Sequence, residues 1–405
     1  MSTAAIIAEY NPFHTGHMFQ IQKLKELTGC DSIIIIMSGN YVQRGTPAIF
    51  DKYTRTKMAL NCGADVVIEL PVFYSNASSE YFGYGAVDLI QHLGCVDYLC
   101  FGCETDNAPL LNEISRILAE EPEDFQKCFK EAVSDGLPYA KCKEKAILSC
   151  IDDRFKEEAS GVLSKPNCIL GIEYLKALKM LHSSIQPVII KRNSDYHSNE
   201  LGNVFASSSA IRNNIINDFS KAENYIPSQI IPLYGGSYPL TEDDFSDYLL
   251  HNLIFKDSLD SYMGISAFLG NRISNLTSSF TNFTDFADLL SGKHITTSGV
   301  RRGLMHIILD IKKEDIINFS DCGTNLYIRL LGFNKEKAHV LKEINVNSSI
   351  PFISKMADSR KLLSDNAYKM LMHNVKCDDL YRLTLCKKYN LKNVKTEFNY
   401  GIITV

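Results

Sequence analysis

The sequence predicts an α/β protein, a doubly wound parallel sheet with a C-terminal, mainly helical domain. Three observations carry this expectation. Through the first half, short apolar runs alternate with longer amphipathic stretches, the pattern of βαβ units. Residues 223–241, with Pro227, Pro232, Gly235-Gly236 and Pro239, have the composition of a connection. Beyond them the apolar spacing is mostly helical. The expected boundaries are therefore 1–222 for the sheet domain, 223–241 for the connection and 242–405 for the helical domain.

The strands expected in chain order are residues 4–8, 32–37, 66–69, 98–101 and 187–191, each a brief apolar run bounded by polar residues or glycine. Helices are expected at 16–27, 52–61 and 80–92, and at 166–181, where Lys165-Pro166 puts proline at the favoured first helical position. Residues 110–155 are charge-rich and helical in pattern, which predicts an insertion packed on the sheet edge. After Arg212 the clearest helices are 245–255, 299–311 and 366–374.

Whole-chain properties narrow the classes. At 405 residues the chain exceeds one ordinary core, so a catalytic domain with an appendage is expected. A formal net charge of -5 argues against a uniformly basic nucleic-acid coat, so any RNA partner would be met by a local patch; no DNA partner is expected. The first residues lack a basic region and Glu9 stops their apolar run, so no signal peptide is expected. No apolar stretch reaches the roughly 20 residues that span a bilayer. The 12 cysteines show no framework spacing, which suits reduced thiols and a cytoplasmic location. The one close pair, Cys100 and Cys103, has neither a partner pair nor a helix-opening context in the sequence, and reads as core cysteine rather than a redox or metal centre.

The most informative stretch is Ala8-Glu9-Tyr10-Asn11-Pro12-Phe13-His14-Thr15-Gly16-His17, where an apolar strand ends and an amphipathic helix begins. That junction is the carboxyl edge of a parallel sheet, where such folds bind ligands. Unpaired N–H groups and the positive end of the helix dipole favour an anion there, and Gly16 permits close approach of backbone. His14 and His17 can each donate a hydrogen bond to a phosphate oxygen and stabilise charge growing on a leaving pyrophosphate. A surface histidine pair or two metal ligands are the plainer alternatives; a metal needs a third protein ligand, and none is apparent nearby, so no metal site is assigned.

A second constellation is Ala206-Ser207-Ser208-Ser209-Ala210-Ile211-Arg212, hydroxyls at a helix mouth with a cation one turn in. Alone it would be a helix cap. Together with the first motif it offers hydroxyls and an arginine to β and γ phosphates.

The HxGH turn and the SSSxIR run together resemble the HIGH-type nucleotidyltransferase superfamily, with its Rossmann-like domain. Further segments narrow the resemblance: Ser38-Gly39-Asn40-Tyr41-Val42-Gln43-Arg44-Gly45, Asp51-Lys52-Tyr53-Thr54-Arg55, Ala64-Asp65-Val66-Val67-Ile68-Glu69-Leu70-Pro71, Leu170-Gly171-Ile172-Glu173-Tyr174 and Ile190-Lys191-Arg192. They are similar to the tRNA(Met) cytidine acetate ligase family, densely from Ala4 to Arg212 and thinly afterwards, where Val300-Arg301-Arg302-Gly303 is one familiar piece. Cys103 stands where the family leads one to expect a small hydroxyl residue, and Ser209 where the superfamily usually has threonine.

The resemblance implies an ATP-binding loop of Ile7, Ala8, Glu9, Tyr10, Asn11, Pro12, Phe13, His14, Thr15, Gly16, His17, Met18, Phe19 and Gln20, with further contacts at Gly102, Asn167, Arg192, Ser208 and Ser209. His14, His17 and Arg212 would be catalytic. Gly102 could instead be a plain turn, Asn167 a helix cap and Arg192 a solvated charge. Gln43, Arg44, Asp51, Lys52 and Arg55 form a polar group that would hold acetate, magnesium or RNA, in roles the sequence does not divide among them. Arg301, Arg302, Lys387 and Lys388 are candidates for tRNA contact, with Arg382, Lys392 and Lys395 and the aromatics Tyr381, Tyr389, Phe398 and Tyr400. The implied activity uses ATP with Mg²⁺ to activate acetate as acetyl-adenylate and acetylate N4 of the wobble cytidine of elongator tRNA(Met). Residues and spacing by themselves reach only ATP and pyrophosphate chemistry. They leave open an adenylyltransferase of a phosphorylated metabolite and an ATP-dependent RNA-binding protein without catalysis.

Overall fold

Apolar alternation on both faces explains the centre of the molecule. In the computed structural model, which describes residues 2–192, 207–293 and 295–405, the run Ile33-Ile34-Ile35-Ile36 is wholly buried. Ile33 and Ile35 join one apolar cluster, and Ile34 and Ile36 the other. A strand covered on both faces reads as a continuous apolar run, as these residues do.

The strands are β1 (Thr3–Ala8), β2 (Ser32–Ser38), β3 (Tyr41–Val42), β4 (Thr46–Pro47), β5 (Val66–Leu70), β6 (Tyr98–Cys103), β7 (Gln186–Lys191), β8 (Ile328–Phe333), β9 (Phe352–Ile353) and β10 (Ile403–Thr404). β3 and β4 form a separate short hairpin; the main sheet runs β10-β8-β5-β2-β1-β6-β7, with β9 also paired to β8. All its pairs are parallel except β5 with β8. From β1 the chain builds outward through β2 and β5 on one side and through β6 and β7 on the other. The strand order therefore reverses between β1 and β6, where an open sheet leaves a crevice at its carboxyl edge.

The five expected strands and the helices of the first half form as anticipated, the latter at Thr15–Thr28, Lys52–Asn61, Ser79–Leu93 and Pro166–Met180. Three expectations change. The charge-rich segment folds into helices Ala108–Glu120, Glu123–Ser134 and Tyr139–Cys150; the first packs on the helix Pro166–Met180 rather than on the sheet edge, and the other two pack on each other. The segment expected as a separate helical domain is indeed largely helical, yet it supplies β8, β9 and β10 to the main sheet, and one apolar cluster joins Leu89 with Leu304 and Leu371. The expected connection is packed as well: Tyr234 is buried with its ring 5.3 Å from that of Phe50, and the Leu240 N–H donates to the Ile49 carbonyl at 3.0 Å. Short strands inside helical sequence hid this continuity.

Candidate functional site

The β1–β6 crevice opens as a cleft lined by Ile7, Ala8, Glu9, Tyr10, Asn11, His17, Gln20, Gln43, Arg44, Gly102, Asn167, Arg192, Ser207, Ser208, Ser209 and Arg212. Residues far apart in sequence thus meet where the strand order reverses. Phe82, Phe101, Leu170 and Tyr174 complete its wall and were not singled out from sequence as ligand contacts. The only signal for them was that Leu170 and Tyr174 lie in a family segment and Phe101 precedes Gly102.

His14 caps the helix Thr15–Thr28. Its Nδ1 accepts the Gly16 N–H at 3.1 Å, while His17 Nδ1 accepts the His14 N–H at 3.3 Å. With Nδ1 occupied as an acceptor, a neutral ring carries its proton on Nε2. His14 Nε2 then donates to Ser208 Oγ, 3.1 Å away, tying the first motif to the second. The rings stack at 3.7 Å between centroids, and His17 Nε2–H remains the donor for a ligand in the cleft. Burial, then Arg192 and Arg212, lowers the His14 pKa to about 3. Burial, then His14, holds His17 well below the ordinary imidazole value. Both rings therefore act near neutrality as uncharged donors, and the arginines carry the positive charge.

Ser207 caps the helix Ser208–Asn217 by accepting the Ala210 N–H at 3.1 Å. Ser208 and Ser209 face the cleft, and Arg212 donates to Ser209 Oγ at 3.0 Å and to the Asn11 carbonyl at 2.7 Å. Ala206, the first residue of that run, lies outside the described residues. Across the cleft, a Cβ on Gly102 would stand 3.1 Å from Arg192 Cδ, so glycine lets the arginine stem lie against the end of β6. Asn167 Nδ2 donates to Glu104 at 2.7 Å, and Glu104 also takes the Asn167 and Cys168 N–H groups. Burial raises the Glu104 carboxyl, but these donors outweigh it and hold it below its ordinary value. Glu104 thus caps the helix Pro166–Met180, and Asn167 is placed by it.

The polar group around residues 43–55 divides sharply. Gln43 and Arg44 line the cleft, and the Gln43 N–H donates to the Glu9 carboxylate at 2.8 Å. Asp51 instead caps the helix Lys52–Asn61 through the Tyr53 and Thr54 N–H groups. Lys52, expected as a substrate contact, is 0% exposed and pairs with Glu69 at 2.8 Å, Asp378 at 2.5 Å and Glu397 at 3.0 Å. Burial and Arg329 oppose its charge, but the three carboxylates outweigh them and raise its pKa. Arg55 is also 0% exposed and donates to the carbonyls of Glu9, Ser38, Gly39 and Phe50, fastening the ends of β1 and β2 together. Neither cation is placed to meet a substrate.

The more distant candidates are largely engaged. Arg302 donates to the Gln43 carbonyl at 3.2 Å, and burial lowers its pKa to about 10. Gly45, at φ +78°, would put a Cβ 2.3 Å from the Arg302 nitrogen, so only glycine admits this contact between hairpin and helix. Arg301 pairs with Glu242, Lys387 with Asp247, Lys388 with Asp244 and Arg382 with Asp379. Of the tail aromatics, Tyr381 donates to the Ala48 carbonyl, Tyr389 to the Pro239 carbonyl, and Tyr400 stacks on Tyr53; Phe398 is exposed. Glu397, in the same tail, belongs to the buried cluster around Lys52.

No helix among the described residues is long and apolar enough to cross a membrane. Comparison with known proteins gives this cleft a context. The profile of the HIGH Nucleotidyl Transferase family matches residues 1–397. The chain is 40% identical over 390 residues to the tRNA(Met) cytidine acetate ligase of Thermoanaerobacter sp. (strain X514), covering 95% of each chain. It is 38% identical over 410 residues to the ligase of that name from Caldanaerobacter subterraneus subsp. tengcongensis, covering 100% of each. The crystal structure of apo Thermotoga maritima TmcAL superposes with a TM-score of 0.93 at 26% identity, and that of the same protein bound with alpha-thio ATP with 0.91 at 27%, both covering 100% of each chain. By full-length similarity to these relatives, the chain belongs to the tRNA(Met) cytidine acetate ligase family of HIGH nucleotidyl transferases.

Proposed function

We propose that the β1–β6 cleft binds ATP, activates acetate as acetyl-adenylate and passes the acetyl group to N4 of the wobble cytidine of elongator tRNA(Met). The carrying observation is the His14 Nε2 to Ser208 Oγ contact at 3.1 Å, which joins both phosphate-type motifs in one cleft. Thermotoga maritima TmcAL, a relative of the same fold, has been crystallised bound with alpha-thio ATP.

In this reading Gly102 and Asn167 receive the nucleoside, and His17, Ser208, Ser209, Arg192 and Arg212 receive the triphosphate. A carboxylate oxygen of acetate attacks the α-phosphorus in line, and pyrophosphate leaves against uncharged histidine donors and arginine charge already in place. Lys52 and Arg55 are buried away from the cleft, whereas Arg44 lines it and would attract acetate. The exocyclic amine of the cytidine then attacks the acetyl carbonyl and AMP departs. Neither step needs a covalent enzyme intermediate. The target base has to be unpaired, as an anticodon-loop cytidine is.

Magnesium fits the donor set, because it asks for one or two carboxylates besides phosphate oxygens and water, and Glu9 lines the cleft. When bound, it would neutralise phosphate charge. Exposed Lys392 and Lys395 give the tail charges that phosphates of an RNA can meet.

The test is incubation with ATP, labelled acetate and total bacterial tRNA, followed by digestion to nucleosides. Label in N4-acetylcytidine is the expected product. Transfer of AMP to a phosphorylated metabolite without tRNA acetylation would replace this reading with an adenylyltransferase.

A further inference from the structure

Cys103 and Cys168 are 65 residues apart in sequence and meet at the rim of the cleft, their sulfurs 3.1 Å apart and both 0% exposed. Each follows a cleft residue directly: Cys103 comes after Gly102 at the end of β6, and Cys168 after Asn167 at the start of the helix Pro166–Met180. The Arg192 N–H also donates to the Cys103 carbonyl at 2.8 Å, so three proposed ATP contacts hang on the segments that carry these thiols.

With Glu104 the pair forms the one cluster of metal-ligand type among the described residues. Its geometry disfavours a metal. Two sulfurs each about 2.3 Å from a tetrahedral zinc stand about 3.8 Å apart, wider than this pair. The Glu104 oxygens are already taken by Asn167 and Cys168 donors. The arrangement is instead that of two thiols one short step from a bond.

We propose that Cys103 and Cys168 are an oxidation site, forming a reversible disulfide that disables the nucleotide cleft. The consequence for ATP rests on the reading of the cleft given above; formation of the bond does not. Bonding brings the sulfurs to about 2.05 Å, a closure of about 1 Å that draws the end of β6 toward the helix Pro166–Met180 and displaces Gly102, Asn167 and Arg192 together.

The chemistry balances with hydrogen peroxide as oxidant. The Cys103 thiolate attacks one peroxide oxygen, the O–O bond breaks, and water leaves carrying the former Cys103 proton. The Cys168 sulfur attacks the resulting sulfenic acid, the S–S bond forms, and the hydroxyl leaves with the Cys168 proton as a second water. Two thiols and one peroxide become one disulfide and two waters. Selectivity follows from the contacts. Contact with the Cys168 thiol pulls the Cys103 thiol down against the effect of burial, whereas burial pushes Cys62, Cys95 and Cys100 up to about 12. The thiolate is the reactive form. Gly102 and Asn167, the chain neighbours of the two cysteines, line the cleft, so ATP seated there would hold these segments in place and slow the reaction.

The experiment exposes the reduced, full-length protein to graded hydrogen peroxide, with and without ATP, then alkylates, digests and maps linked peptides while measuring acetate-dependent ATP–pyrophosphate exchange. Expected is a peptide linking Cys103 to Cys168, less of it with ATP present, and a fall in exchange on the order of 100-fold, the cost of a displacement of about 1 Å in a positioned site. Dithiothreitol restores the rate, and Cys103→Ser keeps the reduced enzyme's activity while losing the sensitivity. The proposal is overturned by the absence of that link at peroxide levels that oxidise exposed Cys322, by a link that leaves exchange unchanged, or by stoichiometric zinc that Cys103→Ser releases. ATP binding by the reduced protein, measured first, tests the cleft reading separately.

Discussion

The nucleotide cleft and the cluster around Lys52 are both polar constellations near the carboxyl ends of the central strands, and both draw on family motifs. They differ in closure. In the cleft the histidines are uncharged, and the arginines and hydroxyls line open space. In the cluster Lys52 and Arg329 are enclosed with Glu69, Asp378 and Glu397, each carboxylate paired to a cation. A buried charge is tolerated when paired and hydrogen-bonded, whereas a ligand site leaves donors for the ligand to satisfy. The difference supports the proposal that the cleft carries the chemistry, and the cluster joins the C-terminal segment to the sheet.

The comparison breaks most visibly at Lys52. Lys52→Met leaves three buried carboxylates with Arg329 alone, and a loss of about 3–5 kcal/mol is expected in denaturant unfolding, since breaking a buried pair strands its partners. Unfolding unchanged from wild type would return Lys52 to the list of ligand contacts.

His17→Ala should behave in the opposite way. An unfolding midpoint near that of the parent is expected, with acetate-dependent exchange reduced on the order of 100-fold by loss of one preorganised donor. Parental exchange from the folded variant would exclude His17 as a phosphate donor.

Acid sharpens the contrast. The His14 pKa lies at about 3 in the folded protein, below its unfolded value of 6.5, so the unfolded chain takes up the proton first. Its stability contribution is complete above pH 6.5 and is lost as pH falls toward 3. Exchange should show no histidine inflection between pH 6 and 8, and unfolding midpoints should decline less on acidification in His14→Asn than in the parent. An inflection near pH 6.5 that His17→Ala removes would contradict uncharged histidines.

The smallest effect belongs to the tail. Removing exposed Lys392 and Lys395 should flatten the salt dependence of tRNA affinity by up to about one phosphate's worth each. Lys387→Ala and Lys388→Ala should do less, because Asp247 and Asp244 already engage them. Equal slopes in all four variants would take the tail out of the RNA surface.

The first half of the fold was legible because its signals are local: strand periodicity, Pro166 at a helix start, and a strand-to-helix turn at His14. The antiparallel β8 was not, because six residues within helical sequence carry no sign of which strand they will join. Within the site, the HxGH turn and the serine run were readable by residue type. Burial was not readable, and it is burial that separates Lys52 from Arg44. The Cys103–Cys168 contact escaped for a related reason. In the sequence Cys103 pairs by eye with its neighbour Cys100, while its partner in space opens another helix.

The most direct measurement is ATP–pyrophosphate exchange with and without acetate in wild type, His17→Ala and Lys52→Met, each rate normalised to its folded fraction. The account predicts acetate-dependent exchange in wild type, a loss on the order of 100-fold in His17→Ala, and near-parental exchange from the molecules of Lys52→Met that remain folded. Exchange indifferent to acetate, or lost in folded Lys52→Met while retained in His17→Ala, would contradict it.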